Sequence, residues 1–115
     1  MTTNHDLFTR GLKVMPGGVN SPVRAFRSVG GTPNFIAEGQ GAFVTDIEGT
    51  VFLDYVQSYG ASILGHAHPV VIAAIENAAK RGTTFGAPTA GEVNLAEALV
   101  DRIDGMEQVR LVSPG

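Results

Sequence analysis

The residues best suited to chemistry lie in a glycine-rich stretch near the start of the chain, from Gly17 to Arg24. A loop that brings Asn20, Ser21 and Arg24 together offers hydroxyl and guanidinium donors to a carboxylate, which a guanidinium binds through two parallel hydrogen bonds. The alternative is a solvent-exposed loop with an ordinary surface arginine. Residue spacing alone favours that alternative.

Two further candidates lie downstream. His66 and His68 are closely spaced, and on a strand their rings would point to one side. A metal site normally needs three or four ligands, and Asp54 is the only acid nearby in sequence, so a structural role is favoured over metal binding. Tyr59 lies in a Gly-rich segment, where an aromatic ring either forms the wall of a ligand pocket or fills a local core.

Several catalytic and phosphate-binding motifs are absent from the sequence. Residues 39–41 lack the third glycine and the following helix of the dinucleotide fingerprint, and no Gly-Lys-Ser/Thr of a P-loop occurs. No serine lies in a Gly-x-Ser-x-Gly elbow, which gives a serine hydrolase little support. Lys13 and Lys80 are the only lysines, and Lys80 lies at a predicted helix C-terminus, where a cation is favoured.

The composition excludes several classes of protein. With 8 basic against 11 acidic residues the net charge is −3, so there is no Lys/Arg excess for binding nucleic acid. The absence of Cys excludes disulfides and Cys-ligated zinc or iron–sulfur sites. No run of about 20 apolar residues predicts a membrane span, and the first residues do not resemble a signal peptide. We therefore expect a soluble cytoplasmic protein.

The candidate residues depend on short elements that the residue pattern predicts. Apolar residues at helical spacing predict a helix over residues 5–14, capped by Asn4 or Asp6. Three β-rich runs separated by turn residues predict an antiparallel meander. Pro69 and a capping box over residues 89–92 mark the starts of two more helices. The predicted strands are residues 35–38, 42–46, 51–54 and 108–112.

The last predicted strand has a consequence for the whole chain. Residues 108–112 form a nearly continuous apolar run, which is typical of a strand inside a parallel sheet. Such a strand needs neighbouring strands and crossover helices, which residues 113–115 do not supply. The sequence therefore predicts a truncated α/β chain whose own part is α+β. That part comprises a helical arm, a three-stranded antiparallel meander, two helices and the first strand of a larger sheet.

Five sequence blocks stand out along the chain, at residues 15–26, 29–33, 46–55, 63–69 and 81–89. They include an Asn-Ser-Pro-Val-Arg run, a central Asp-Ile-Glu-Gly-Thr run and a Phe-Gly-Ala-Pro-Thr run. In order and spacing the blocks resemble the glutamate-1-semialdehyde 2,1-aminomutases, a branch of the class III aminotransferases. The first and last of these three runs are typical of the aminomutases, whereas the central run is shared more broadly across class III.

This resemblance implies a pyridoxal-phosphate-dependent transferase fold and a cytoplasmic homodimer of tetrapyrrole (porphyrin) biosynthesis, with no nucleic-acid or membrane partner. Enzymes of this family convert glutamate-1-semialdehyde to 5-aminolevulinate with pyridoxal 5'-phosphate and pyridoxamine 5'-phosphate, which supply the carbanion chemistry. The resemblance divides the chain into an arm with a substrate loop (1–33), a meander with a Gly-rich loop (34–68) and the start of the large cofactor-binding domain (69–115).

The resemblance also implies roles for individual residues. Ser21 and Arg24 match the family's contacts to the substrate carboxylate, and Val23 lies between them. Tyr59 stands where the family usually has Trp, so it is expected to form an aromatic wall of the substrate site. Gly115 matches the loop that binds the cofactor phosphate. Pro114 departs from that loop, because Ser is expected there and proline has no N–H.

The resemblance implies no catalytic residue within the chain. Neither Lys13 nor Lys80 matches the position of the lysine that binds the cofactor covalently, so we predict that the 115 residues alone are inactive. Two alternatives remain open. One is another class III aminotransferase, of the ω-amino-acid or ornithine type, which shares the central motifs. The other is a non-catalytic dimerisation module.

Overall fold

Three α-helices and a three-stranded antiparallel sheet form the secondary structure of the computed structural model, which describes residues 1–113. The same residues form 3₁₀ turns at Pro16–Gly18, Pro22–Ala25 and Gln57–Gly60. The helices are α1 (Asn4–Val14), α2 (Pro69–Ala79) and α3 (Ala90–Arg102), and the strands are β1 (Ile36–Gln40), β2 (Phe43–Asp46) and β3 (Val51–Leu53). Within residues 1–113, no helix has both the length and the apolar character needed to cross a bilayer.

Helix α1 begins one residue earlier than the sequence pattern indicates. The Thr3 hydroxyl accepts a hydrogen bond from the Asp6 N–H at 3.1 Å, and the Asp6 carboxylate accepts one from the Thr3 N–H at 2.9 Å. This reciprocal capping box satisfies two donors that a helix start leaves unpaired. The backbone and side-chain hydrogen bonds with Thr3 lower the pKa of Asp6. The predicted cap at Asn4 or Asp6 was wrong, because the Asn4 side chain is used elsewhere.

The three predicted strands form the meander in the order β1-β2-β3. Gln40 pairs with Phe43, so β1 continues two residues further than predicted and the β1–β2 turn is correspondingly tight. Gly41 occupies this turn with φ 56°, a backbone region that glycine adopts without strain. The register shifts between Ile36 and Glu38, which places a bulge in β1.

A buried polar cluster joins the start of α1 to the β2–β3 turn. Asn4 is 7% exposed and Asp46 is 4% exposed. The Asn4 side-chain amide donates to Asp46 at 2.9 Å and to Glu48 at 2.6 Å, and its oxygen accepts from the Phe35 N–H at 2.7 Å. Asp46 also accepts from the N–H groups of Glu48 and Thr50. Burial raises the pKa of Asp46, but these hydrogen bonds outweigh burial and hold it below its usual value.

Replacing Asn4 by alanine is expected to release α1 from the sheet. A hydrogen bond to a charged group contributes about 1.5–3 kcal/mol, and the Asn4 amide makes two of them, so the population with α1 detached should rise at least about 10-fold. Tryptic cleavage after Arg10 and Lys13, both on α1, measures that population. Asn20→Ala is the control, because Asn20 is exposed. Equal cleavage rates for the two variants would contradict an anchoring role for Asn4.

The chain divides into two compact units, Met1–Ala74 and the residues from Ile75 onward, with the boundary inside α2. In the second unit α3 begins as predicted, since Glu92 accepts hydrogen bonds from the backbone N–H and hydroxyl of Thr89. The strand predicted over residues 108–112 was wrong for the described structure. Those residues have no strand partner within residues 1–113, and a strand exists only when a neighbour completes its hydrogen-bond ladder.

Apolar burial is sparse in both units. Among residues 1–113, Ala25 and Pro33 are the only buried residues with an apolar side chain. Every residue of α2 is exposed, including Val70 at 70% and Ile75 at 58%. Local caps, turns and polar anchors therefore define most of the elements, and their apolar faces are left uncovered.

Candidate functional site

The turn that carries Ser21, Val23 and Arg24 is compact and exposed. Pro22 starts the 3₁₀ turn, where its fixed φ suits the first position, and the Arg24 N–H donates to the Ser21 carbonyl at 2.9 Å. Ala25 is buried and anchors the end of the turn, whereas Val23 is 65% exposed and Arg24 is exposed. Within residues 1–113 the Arg24 guanidinium forms no ion pair, so it is available to an anionic group.

Helix α1 supports this turn through two glycines that approach each other closely. A Cβ added to Gly11 would lie 2.8 Å from the Gly18 carbonyl oxygen, and one added to Gly18 would lie 2.7 Å from the Phe8 ring. Gly18 also has φ 73°, which favours glycine. The segment after α1 therefore packs against the helix because both positions lack a side chain, and it leads directly into the Ser21–Arg24 turn.

Tyr59 lies on a second turn with an unusual backbone. Gln57, Ser58 and Tyr59 have φ values of 48°, 51° and 57°, three successive non-glycine residues in the left-handed region. Such conformations cost about 1–3 kcal/mol each and persist only where surrounding contacts hold them. The Tyr59 ring is 71% exposed, so it does not fill a core in this unit. An exposed aromatic side chain on a restrained turn is a suitable wall for a ligand.

Asp54 and His66 form a short polar contact beside this second turn. Their Oδ2 and Nε2 atoms are 2.6 Å apart, and the side chains are 12% and 24% exposed. An ionised carboxylate can only accept, so Nε2 carries the proton. The hydrogen bond from His66 and the N–H groups of Gln57 and Val56 lower the pKa of Asp54. Both residues line a small open cavity of about 260 Å³.

The two histidines do not form a metal site in this structure. Ala67 has φ 50°, which breaks the strand geometry that would have aligned the rings of His66 and His68. The His68 Nδ1 atom is buried without a partner, while His66 contacts Asp54. Within residues 1–113, no three His, Asp or Glu side chains converge closely enough to hold a metal ion.

The described residues do not by themselves form a site for pyridoxal phosphate. Lys13 and Lys80 are exposed, one in the last turn of α1 and the other just after α2 in the second unit. The predicted phosphate contact Gly115 lies outside the described residues, as does Pro114.

The structure places the predicted substrate contacts on two turns of the same unit. Ser21, Val23 and Arg24 share one turn, and Tyr59 lies on the other. Among residues 1–113, no hydrogen bond or ion pair joins the two turns. Their roles toward a substrate stay predictions.

Sequence reasoning missed the polar contacts that hold these turns. From the sequence, Asn4 is predicted as a helix cap, and Asp54 stands out only as a weak candidate metal ligand. The one available signal was Asp54 directly before a Gly-rich turn, where aspartate often accepts hydrogen bonds from the following backbone.

Comparison with known proteins finds relatives of this chain in one protein family. The family model for "Aminotransferase class-III" matches residues 25–115. The chain is 56% identical over 115 residues to the glutamate-1-semialdehyde 2,1-aminomutase of Bordetella avium, covering 100% of this chain and 27% of that protein. It is 58% identical over 113 residues to the same enzyme of Nitrosomonas europaea, covering 98% of this chain and 26% of that protein. The chain thus spans about a quarter of the length of these relatives.

Solved structures agree on the fold. An omega-transaminase from Sphaerobacter thermophilus superposes with a TM-score of 0.83 at 36% identity, covering 93% of this chain and 24% of the other. A glutamate-1-semialdehyde aminomutase from Pseudomonas aeruginosa gives a TM-score of 0.77 at 28% identity, covering 86% of this chain and 22% of the other. That aminomutase has also been solved as a variant in complex with PMP. The elements described above are therefore those of the corresponding segment in these enzymes.

Proposed function

This chain belongs to the class III aminotransferase family, and from that premise we propose that it is the N-terminal segment of a glutamate-1-semialdehyde 2,1-aminomutase. The observation that carries the proposal is 56% identity to the Bordetella avium aminomutase across the entire chain. We further propose that the assembled enzyme is a cytoplasmic homodimer of tetrapyrrole biosynthesis, with glutamate-1-semialdehyde as its substrate. Its cofactor is pyridoxal 5'-phosphate, or the pyridoxamine form, held by residues other than those described.

In this proposal the Ser21–Arg24 turn binds the substrate carboxylate. The Arg24 guanidinium supplies two parallel hydrogen bonds and the Ser21 hydroxyl supplies a third donor. Val23, exposed between them, excludes water from one side of the carboxylate and so strengthens the ionic contact. The Tyr59 ring forms a wall of the same site. The chain thereby fixes one end of the substrate, which leaves the aldehyde and amine at a defined distance from the cofactor.

The overall reaction is an isomerisation, and this distinguishes it experimentally from a transamination. An amine leaves one carbon of glutamate-1-semialdehyde and the neighbouring carbon receives one, so no amino donor or acceptor is consumed. The bound cofactor supplies the amine-transfer chemistry. The residues described here take no proton in this scheme. The N-terminal segment therefore acts by binding the substrate and orienting it.

A class III aminotransferase is the second candidate, and one observation favours it. The solved omega-transaminase from Sphaerobacter thermophilus has a higher TM-score and a higher identity to this chain than the solved Pseudomonas aeruginosa aminomutase. An aminotransferase needs a separate amino donor for each turnover, whereas an aminomutase does not. The requirement for a donor therefore separates the two functions.

The proposal is tested by a hybrid in which residues 1–115 replace the matching segment of the Bordetella avium aminomutase (the hybrid enzyme). We expect the hybrid enzyme to form 5-aminolevulinate from glutamate-1-semialdehyde repeatedly without any added amino donor. The physical reason is that the transplanted turn carries the carboxylate-binding residues the rest of that enzyme requires. Colorimetric detection of 5-aminolevulinate over many turnovers measures the outcome.

A second hybrid is the matched control. It carries the corresponding segment of the Sphaerobacter thermophilus omega-transaminase, which is 36% identical to this chain, and it is expected to be inactive on glutamate-1-semialdehyde. A folded first hybrid that binds the cofactor but forms product only when an amino donor is added would overturn the aminomutase assignment. Such a result would favour the aminotransferase.

A further inference from the structure

Asp54 uses both carboxylate oxygens to hold the turn that bears Tyr59. Oδ1 accepts the N–H groups of Val56 at 2.9 Å and Gln57 at 3.0 Å, and Oδ2 contacts His66 at 2.6 Å. The side chain is 12% exposed, so these contacts are largely shielded from water. A carboxylate with both oxygens occupied fixes the direction in which the chain enters the turn.

His66 is in turn fixed to the β1–β2 turn. Its N–H donates to the Gly41 carbonyl at 2.8 Å, and its carbonyl accepts the Gly41 N–H at 2.9 Å. A Cβ added to Gly39 would lie 2.7 Å from the imidazole Cγ, so the ring rests directly on β1 at a position that only glycine leaves open. The imidazole thus links Asp54 to the sheet rather than to solvent.

The backbone between these two residues is the part that needs such a link. Gln57, Ser58 and Tyr59 all adopt left-handed φ values, which side-chain-bearing residues rarely adopt in succession. The Tyr59 N–H donates to the Val56 carbonyl at 2.9 Å, and the Ser62 N–H to the Gln57 carbonyl at 3.1 Å. These local hydrogen bonds close the turn, but among residues 1–113 only Asp54 and His66 connect it to the strands through hydrogen bonds.

We propose that the Asp54–His66 pair, here called the clamp, is a positioning device that holds the left-handed turn so that the Tyr59 ring forms the wall of the substrate site. The inference rests on the proposed function, because it assigns Tyr59 to the substrate. Neither Asp54 nor His66 touches substrate in this scheme. Both act through Tyr59, since loss of the clamp would let the turn relax to ordinary backbone conformations and move the ring.

The test uses His66→Leu in the hybrid enzyme, a substitution of similar volume that removes the Nε2 donor. We expect kcat/KM for glutamate-1-semialdehyde to fall about 10- to 100-fold, as is usual when a substrate-positioning group is displaced. His66→Gln, which keeps an N–H donor at similar reach, should restore most of the loss. In a Tyr59→Ala background, His66→Leu should change kcat/KM by no more than about 2-fold, because both substitutions remove the same contribution.

Asn4→Ala is the matched control, since it removes a polar anchor in the same unit without contacting the turn. The fold-change in kcat/KM of the double variant Asn4→Ala/Tyr59→Ala should equal the product of the two single fold-changes. If the effects of His66→Leu and Tyr59→Ala also multiply, or if His66→Leu leaves kcat/KM unchanged, the clamp does not act through Tyr59. Either result overturns the inference.

A second measurement does not depend on activity. Hydrogen exchange followed by mass spectrometry on the peptide spanning residues 55–63 should be at least about 10-fold faster in His66→Leu and in Asp54→Ala than in the parent hybrid. Unchanged exchange overturns the clamp even if the hybrid enzyme proves inactive. Faster exchange in an inactive hybrid enzyme overturns the proposed function and, with it, the link from the clamp to substrate. The two failures are therefore distinguishable.

Discussion

Replacing Arg24 by alanine in the hybrid enzyme is expected to lower kcat/KM for glutamate-1-semialdehyde by about 30-fold to several thousand-fold. This range corresponds to the roughly 2–5 kcal/mol lost when one partner of a buried, hydrogen-bonded charge pair is removed. Arg24 is exposed and forms no ion pair within residues 1–113, so the incoming carboxylate is the group that would pair with it and bury it. Steady-state kinetics measure the loss, and KM should carry much of it because the carboxylate is bound before the reaction begins.

Two variants sharpen this expectation. Arg24→Lys keeps the charge but cannot form two parallel hydrogen bonds, so it should lie between the parent and Arg24→Ala. Arg10→Ala removes an exposed arginine from α1 in the same unit and should behave like the parent. An Arg24→Ala hybrid enzyme with unchanged kcat/KM would show that Arg24 is an ordinary surface residue, the alternative that its spacing favours.

The 115-residue chain produced alone is expected to self-associate, to bind a fluorescent apolar dye strongly and to convert no substrate. Among residues 1–113, large apolar side chains are exposed at many positions, including Val14, Val29 and Ile63. Exposed apolar surface of this kind promotes association and binds apolar dyes. The exposed helix α2 contributes to it, with Val70 and Ile75 largely accessible.

Dye fluorescence and size-exclusion chromatography with light scattering measure this prediction. The hybrid enzyme at equal segment concentration is the control and should bind little dye, because the rest of the protein covers these faces. Borohydride treatment in the presence of pyridoxal phosphate should leave no specific adduct on Lys13 or Lys80. A monodisperse monomer that binds no dye would contradict the prediction. A tight dimer without cofactor would favour the dimerisation module instead.

Local signals predicted most of the elements. The meander follows from three β-rich runs with turn residues between them, and the box at residues 89–92 follows from Thr and Glu three positions apart. These features depend on residues close in sequence, so a single sequence is sufficient to predict them. The strand over residues 108–112 was predicted from the same kind of pattern and failed, because strand formation depends on a partner as well as on residue type.

The contacts that position the candidate site could not be predicted in the same way. Asn4 contacts Asp46 across 42 residues of sequence, and Asp54 contacts His66 across 12. Each pair joins residues that are distant in sequence, and no local motif specifies it. The left-handed turn at residues 57–59 gives no sequence signal either, because Gln, Ser and Tyr have no strong preference for that conformation. The resemblance to a family selected Tyr59, but the structure is needed to see how its backbone is restrained.

The anchoring of Asn4 also has a consequence for the order in which the chain matures on the ribosome. Helix α1 is synthesised first, yet the acceptors that hold it are the carboxylates of Asp46 and Glu48. At about 5–20 residues per second, they are added about 2–9 s after Asn4. During that interval the nascent arm has its own capping box but lacks these two carboxylate partners. The arm can therefore dock on the β2–β3 turn only after the ribosome has added that turn.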